Sequence, residues 1–264
     1  MIKINLFLVF LFFMGSCSDD DNNNTPEEKV DPPTATGIVY FQSSLKFEDS
    51  YSNLKSSLQD NENISIVQEL DHAQNAASVD ITLASTRIIF FGNPNLGTPL
   101  MQANQLAGLD LPQRVLFYKD KEKVFALYNS TQYMASRHGI SGVETLPKIA
   151  KALKNLVGSA VNSSAEKTKN QDVDLLEGII SIESTTDFET TYENLKSSIE
   201  ANENLSVMAA LDHKQNAESV GMELRPTRVI MFGNPKLGTP LMQSMRSIAW
   251  IYHKKCWFGK MKTA

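Results

Sequence analysis

The chain has 264 residues, with 25 Lys and Arg against 30 Asp and Glu and a formal net charge of −5. An acidic balance with no offsetting basic stripe excludes a nucleic-acid-binding surface. The two cysteines, Cys17 and Cys256, leave no disulfide framework for the body of the chain.

In chain order, Lys3 is followed by an apolar run from Ile4 to Met14 and then by Gly15-Ser16-Cys17. The run is shorter than the ~20 residues that span a bilayer as a helix. Its charged start, apolar middle and small-residue end fit a secretory signal. Met14-Gly15-Ser16-Cys17 resembles a lipobox with Met in the place usual for Leu. That resemblance implies a signal peptide over residues 1–16, cleavage before Cys17 and acylation of that cysteine. Residues 17–36 are acidic, rich in Asn and Pro, and have almost nothing apolar to bury, so they read as a disordered tether. The tether resembles the surface-export signals of bacterial lipoproteins. The expected location is the cell envelope, anchored to the outer membrane through lipid on Cys17, each buried methylene contributing ~0.8 kcal/mol. Cys17→Ala is expected to release the chain from the membrane fraction; an unchanged membrane-bound pool would overturn the anchor.

The body of the chain repeats itself. "FGNPNLGTPLMQ" at Phe91 returns as "FGNPKLGTPLMQ" at Phe232. Asn234 minus Asn93 gives an offset of 141, and the same offset pairs Gly37 with Gly178, Asp71 with Asp212 and Arg87 with Arg228. Solenoid repeats run ~20–50 residues, so this is a duplicated domain. The copies occupy residues 37–162 and 178–264, with a polar linker over 163–177. Segments 37–102 and 178–243 align without a gap and are expected to share one fold.

Within the first copy, "GIVYFQSS" reads as a strand. "FEDSYSNLKSSLQDN" places Phe47, Tyr51, Leu54 and Leu58 on one helical face. The second copy keeps that face as Phe188, Tyr192, Leu195 and Ile199. "ISIVQELD" reads as a strand, "HAQNAASV" as a short helical turn and "TRIIFFG" as a buried strand. A GNP…GTP loop leads into a helix "PLMQANQLAG", with Pro99 near its first turn. "QRVLFYKD" and "EKVFALYN" predict a hairpin, and Ser130 caps a helix "STQYMASRHGI". "TLPKIAKALKNLVGSAV" closes the copy with a stripe of Leu146, Ile149, Leu153 and Val157. The fold class is α+β, a sheet with helices on one face, in two tandem copies of which the second is incomplete.

From about residue 245 the second copy stops resembling the first. Synonymous codons for Trp250 to Thr263, read one base out of frame, can encode Asp-Leu-Pro-Gln-Lys-Met-Leu-Val-Trp-Glu-Asp-Glu-Asn. The first copy has "DLPQRVLFYKDKE" at Asp110, and Ile251 minus Asp110 is again 141. A reading-frame slip between Ser244 and Trp250 is the expectation. It would leave "WIYHKKCWF" as an uncovered, apolar sheet edge. Resequencing across these codons tests it: an intact frame with no downstream DNA for the missing hairpin would make the tail genuine.

"LDHAQNA", "TRIIFFGNPNLGTPLMQ", "LDLPQRVLFYKD" and "ALYNSTQYMASRHGI" resemble the domain-of-unknown-function family 302. The resemblance implies a small α+β unit like half of the TATA-binding protein, often dimeric, with no established activity. The first copy departs from the family pattern at Asp80, Ala84 and Ser85, where the second has the more typical Gly221, Arg225 and Pro226.

The candidate chemistry is sparse. Gly92-Asn93-Pro94 and Gly97-Thr98-Pro99 open a helix, where free N–H groups can hold an anion. The same residues also serve a plain turn, with glycine at positive φ and Thr98 as cap. Asp71-His72 and His138 are candidates for acid–base work near neutral pH. No spacing suggests a metal centre or a cofactor, and neither is expected. One reading is a binding module whose groove carries His72, Asn93, Thr98 and Asp110 with the equivalent His213, Asn234 and Thr239. The other is an enzyme using His72 with Asp71 or Asp110. Duplication gives two like surfaces that can pack as an intramolecular pseudo-dimer, or as a homodimer.

Overall fold

The computed structural model describes residues 30–250 and 254–260. The signal segment and Cys17 lie outside the described residues, as does most of the tether. The first copy runs β1 (Ile38–Gln42), α1 (Phe47–Gln59), β2 (Ser65–Asp71), α2 (His72–Ala77), β3 (Thr86–Gly92), α3 (Pro94–Ala103), a 3-10 turn η1 (Gln105–Asp110), β4 (Gln113–Asp120), β5 (Lys123–Asn129), α4 (Thr131–His138) and α5 (Thr145–Val161). A short strand β6 (Glu166–Lys167) completes an antiparallel sheet of order β2-β3-β4-β5-β1-β6. Helices α1 and α5 pack on each other across the sheet. Leu54, Leu58, Leu153 and Val157 are sealed beneath them, each contributing about 1.5–3 kcal/mol of burial.

The linker is not free chain. Its Glu166–Lys167 pairs with β1, and Gly37 N–H donates to Asn170 O at 2.8 Å. Leu176 N–H donates to Arg137 O, so residues 163–177 are laid along the first copy.

The second copy runs α6 (Phe188–Glu200), β7 (Ser206–Asp212), α7 (His213–Glu218), β8 (Thr227–Gly233), α8 (Pro235–Ser244), η2 (Arg246–Trp250) and β9 (Lys254–Gly259). Its sheet order, β7-β8-β9, repeats β2-β3-β4. The bulge in β2–β3 pairing between Ile66 and Gln68 recurs between Val207 and Ala209.

One part of the expected superposition fails. "GIISIES" is irregular chain, with Ile180 89% and Ile182 90% exposed, where the first copy has strand β1. The reason is pairing: β1 forms its ladder with β5, and among the described residues the second copy has no such strand. An isolated apolar segment cannot satisfy its backbone as a strand without a neighbour.

The divergent tail has a place nonetheless. Arg228 faces Phe258 as Arg87 faces Phe117, and 258 minus 117 is 141. Thus β9 fills the β4 slot in register. Phe258 meets Tyr192 edge-on at 5.3 Å, as Phe117 meets Tyr51 at 5.6 Å. β9 is the outer strand of its sheet, so its far edge is unpaired among the described residues as expected, while Phe258 is buried against α6 and the expected bare apolar surface is partly covered.

The halves pack by an approximate twofold exchange. α3 contacts α7 while α2 contacts α8, and β2 meets β7. Gln102 Nε2 donates to Glu223 O, and Gln243 Nε2 donates to Thr82 O, both at 2.8 Å. These two bonds are related by the same 141-residue offset. The main apolar core is continuous through this interface, reaching Leu211, Met242 and Trp250.

Candidate functional site

The GNP…GTP phrase is helix from its third residue. Asn93 is the cap of α3, its Oδ1 accepting from Asn95 N–H at 2.9 Å, and Pro94 takes the first helical position. Asn234 repeats this on α8, accepting from Lys236 N–H at 2.9 Å. Two expectations are corrected. Thr98 is buried inside the helix and does not cap it, and neither Gly92 nor Gly97 has positive φ. The left-handed position lies earlier, at Asp80 (φ 59) and Gly221 (φ 72). There the second copy's glycine avoids a strain of about 1 kcal/mol that the first copy's aspartate carries.

The cap and first turn of α3 open onto a cavity of about 200 Å³. Its floor is the start of β2 and the end of β3, including Val67 and Phe91. α5 closes one side with Ile149, Ala152, Leu153 and Leu156. The far wall belongs to the other copy: His213 and Asn216 of α7 and Ser219 just past its end. The structure therefore brings Asn93 and Thr98 together with His213, not with His72.

His72 occupies the equivalent position in the opposite half, at the start of α2, the helix that contacts α8. That half has no counterpart of α5 among the described residues. The loss shows on α8: Leu237 is 67% exposed and Leu241 48%, whereas Leu100, the partner of Leu241, is fully buried. One of the two related sites is walled and the other lies open.

Burial holds both histidines neutral. The His72 pKa falls to about 4 through burial, against a smaller opposing pull from the Asp71 charge. Burial likewise takes His213 to about 4, despite its hydrogen bond to Gly108 O at 3.2 Å. A carbonyl only accepts, so Nε2–H of neutral His213 donates across the interface.

The proposed carboxylate partners are engaged elsewhere. Asp71 caps α2 through Gln74 N–H at 2.9 Å and pairs with Arg87 Nε at 2.6 Å. Asp212 and Arg228 repeat the pair at 2.8 Å. Asp110, at the end of η1, accepts from His138 Nε2 at 2.7 Å and Arg137 Nη1 at 2.8 Å. Burial pushes the Asp110 carboxyl up. The His138 hydrogen bond and the Arg137 and Lys255 charges outweigh that and hold it well below the usual range.

Around this carboxylate stand cations that sequence reasoning missed. Arg114 lies with its guanidinium 4.4 Å over the Trp250 ring, and Lys255 Nζ donates to Leu109 O at 2.8 Å. Burial and the Arg114 charge drive the Lys255 ammonium pKa well down. The available signal was the 141-residue offset, which makes Arg114 and Lys255 counterparts. Asp110 has Ile251 as its counterpart, so the carboxylate is not duplicated. No cluster of three or more His, Cys, Asp or Glu suited to a metal occurs among the described residues, and no helix there is long and apolar enough to cross a membrane.

These features define a duplicated α+β protein whose halves join through a shared core. The chain belongs to the family described as Domain of unknown function DUF302, which matches residues 39–156 and 180–251. It is similar to the crystal structure of an uncharacterized conserved protein DUF302 from Bacillus stearothermophilus. That likeness has a TM-score of 0.39 and 15% identity, covering 48% of this chain and 98% of that one. It is 37% identical over 78 residues to the fluoride-specific ion channel FluC 1 of Brucella suis, covering 29% of this chain and 31% of the relative. The FluC 1 protein of Brucella abortus is likewise 37% identical over 78 residues, and 29% of its length is covered. The chain thus spans less than a third of these curated relatives, and the channel name belongs to them.

Proposed function

We propose that the protein is an envelope-anchored binding module whose ligand is a small apolar molecule held between the two copies. The observation that carries this reading is the cavity against α3. It is concave, mostly apolar, and bordered by the few convergent polar groups of Asn93, Thr98, His213 and Asn216, the general character of small-molecule sites. Two separate elements of the duplicated chain supply its walls, so packing of the copies is itself what makes the site. Localisation through lipidated Cys17 is the companion proposal and rests on the lipobox-like segment.

Ala152 lines the cavity from α5 and is not fully buried in the core, so it offers a way to fill the space. Ala152→Phe is expected to weaken binding of a neutral aromatic probe such as indole at least tenfold, with the melting temperature shifted by only a few degrees. Saturation-transfer NMR on wild type and variant measures it. Equal indole binding by both proteins would remove the cavity from consideration.

A further inference from the structure

Helix α8 carries a row of exposed apolar side chains spaced four residues apart: Leu237, Leu241 and, at the helix end, Met245. Single exposed leucines are ordinary on a protein surface, but a contiguous apolar row marks an interaction site.

The first copy shows what such a face receives. There α5 packs on both α1 and α3, and Leu54 of α1 and Leu100 of α3 are fully buried. Asn53 Nδ2 also donates to Ala160 O, in the last turn of α5, at 3.2 Å. Carbonyls of a last helical turn have no partner within their own helix, so this bond is specific to a helix end.

The 141-residue offset keeps the receiving residues unchanged. Asn194, Leu195, Leu237 and Leu241 repeat Asn53, Leu54, Leu96 and Leu100. Yet among the described residues the second copy has no counterpart of α5, and Asn194 is exposed and Leu195 only half-buried.

We propose that the face formed by α6 and α8 docks an amphipathic helix of another protein, with aliphatic residues spaced as Leu146, Ile149, Leu153 and Val157 are on α5. A second copy of this chain has its α5 already packed on its own first half, so the partner is a different chain. A lipid surface would cover the leucines but offer no helix-end carbonyl to Asn194. A helix docked here would stand as α5 stands beside the enclosed cavity, and would wall the open counterpart.

The test titrates the full chain into a fluorescein-labelled peptide of residues 145–161, read by anisotropy and by circular dichroism. A free helix of 17 residues is marginal in water, so saturable binding with a gain of helicity is expected. Leu237→Asp combined with Leu241→Asp should weaken binding at least about tenfold. The melting temperature should move by only a few degrees, because both leucines are exposed. Asn194→Ala should weaken binding severalfold, and a peptide of the same composition with its stripe scrambled should not bind. Equal binding by the double variant, or of the scrambled peptide, would overturn the groove. No saturable binding of the 145–161 peptide would overturn the helix partner. Equilibrium sedimentation and flotation with phosphatidylcholine vesicles, on wild type and Leu241→Asp, would then assign the face to a second copy or to lipid. Resequencing that gave the second copy an in-frame closing helix would also overturn the proposal, since the groove would be filled from within.

Discussion

Asp110→Asn is expected to destabilise the protein by about 3–5 kcal/mol at pH 7, because it removes one partner of a buried charge cluster. The Asp110 side chain is 4% exposed and accepts from both Arg137 and His138. Arg114 is buried beside it, its Nε without a hydrogen-bond partner among the described residues. Trp250 offers that guanidinium a ring face, worth about 2 kcal/mol when desolvated, but no negative charge. An amide at position 110 keeps the shape and removes the carboxylate that Arg114 and Arg137 share. Urea unfolding of wild type and variant measures the difference. A loss below about 1 kcal/mol would show that another group neutralises the guanidiniums. The cluster joins η1 and α4 to β9 through Lys255, so the variant should also loosen the second copy.

Acidification from pH 6.5 to pH 4 is expected to cost roughly 3 kcal/mol for each of His72 and His213, about 1.4 kcal/mol per unit of pKa difference. Both have folded pKa values near 4, below the ordinary 6.5. Above pH 6.5 the imidazoles are neutral folded or unfolded, and their contribution is complete. Between 6.5 and 4 the unfolded chain takes up protons that the folded chain refuses, so stability falls with pH. Below 4 both states are protonated and the histidine term stops changing. Asp71 and Asp212, whose folded pKa values are depressed by burial-resisting bonds to arginine and backbone, lose their contribution only from about pH 4 downward. Chemical unfolding at a series of pH values should show a slope approaching two protons within the window. His213→Gln should halve it. A flat profile between pH 6.5 and 5 would mean that these imidazoles titrate normally in the fold.

The elements of the first copy were legible because each carries its own pattern. The Phe47, Tyr51, Leu54, Leu58 stripe and the Leu146, Ile149, Leu153, Val157 stripe are buried as their spacing requires. Ser130 caps α4, accepting from Tyr133 N–H at 3.0 Å. The start of α3 was misplaced because Gly97 and Pro99 read as breakers, while the stronger signal, an Asn cap followed by Pro94, sat five residues earlier. The second copy's "GIISIES" has strand composition but no neighbour, and a local pattern cannot report a missing partner. The residues lining the cavity divided the same way. Asn93 and Thr98 were visible as part of a repeated phrase. Their meeting with His213, rather than with the sequence-near His72, depends on how one copy docks on the other. Arg114 and Lys255 were hidden because each gains meaning only across the interface.

The Gln102–Glu223 and Gln243–Thr82 bonds join two copies that are already one polypeptide. Two separate chains would have to find each other at cellular concentration, whereas copies tied by a short linker meet at an effective concentration in the millimolar range. The tie also frees each copy from the other's sequence. In a symmetric homodimer every substitution appears twice, so a change that opens one site opens both. Here Leu237 and Leu241 are exposed, whereas their counterparts Leu96 and Leu100 are half-buried and fully buried. Within one polypeptide the two related positions can differ, and the copy whose own position lies open still supplies a wall of the enclosed cavity.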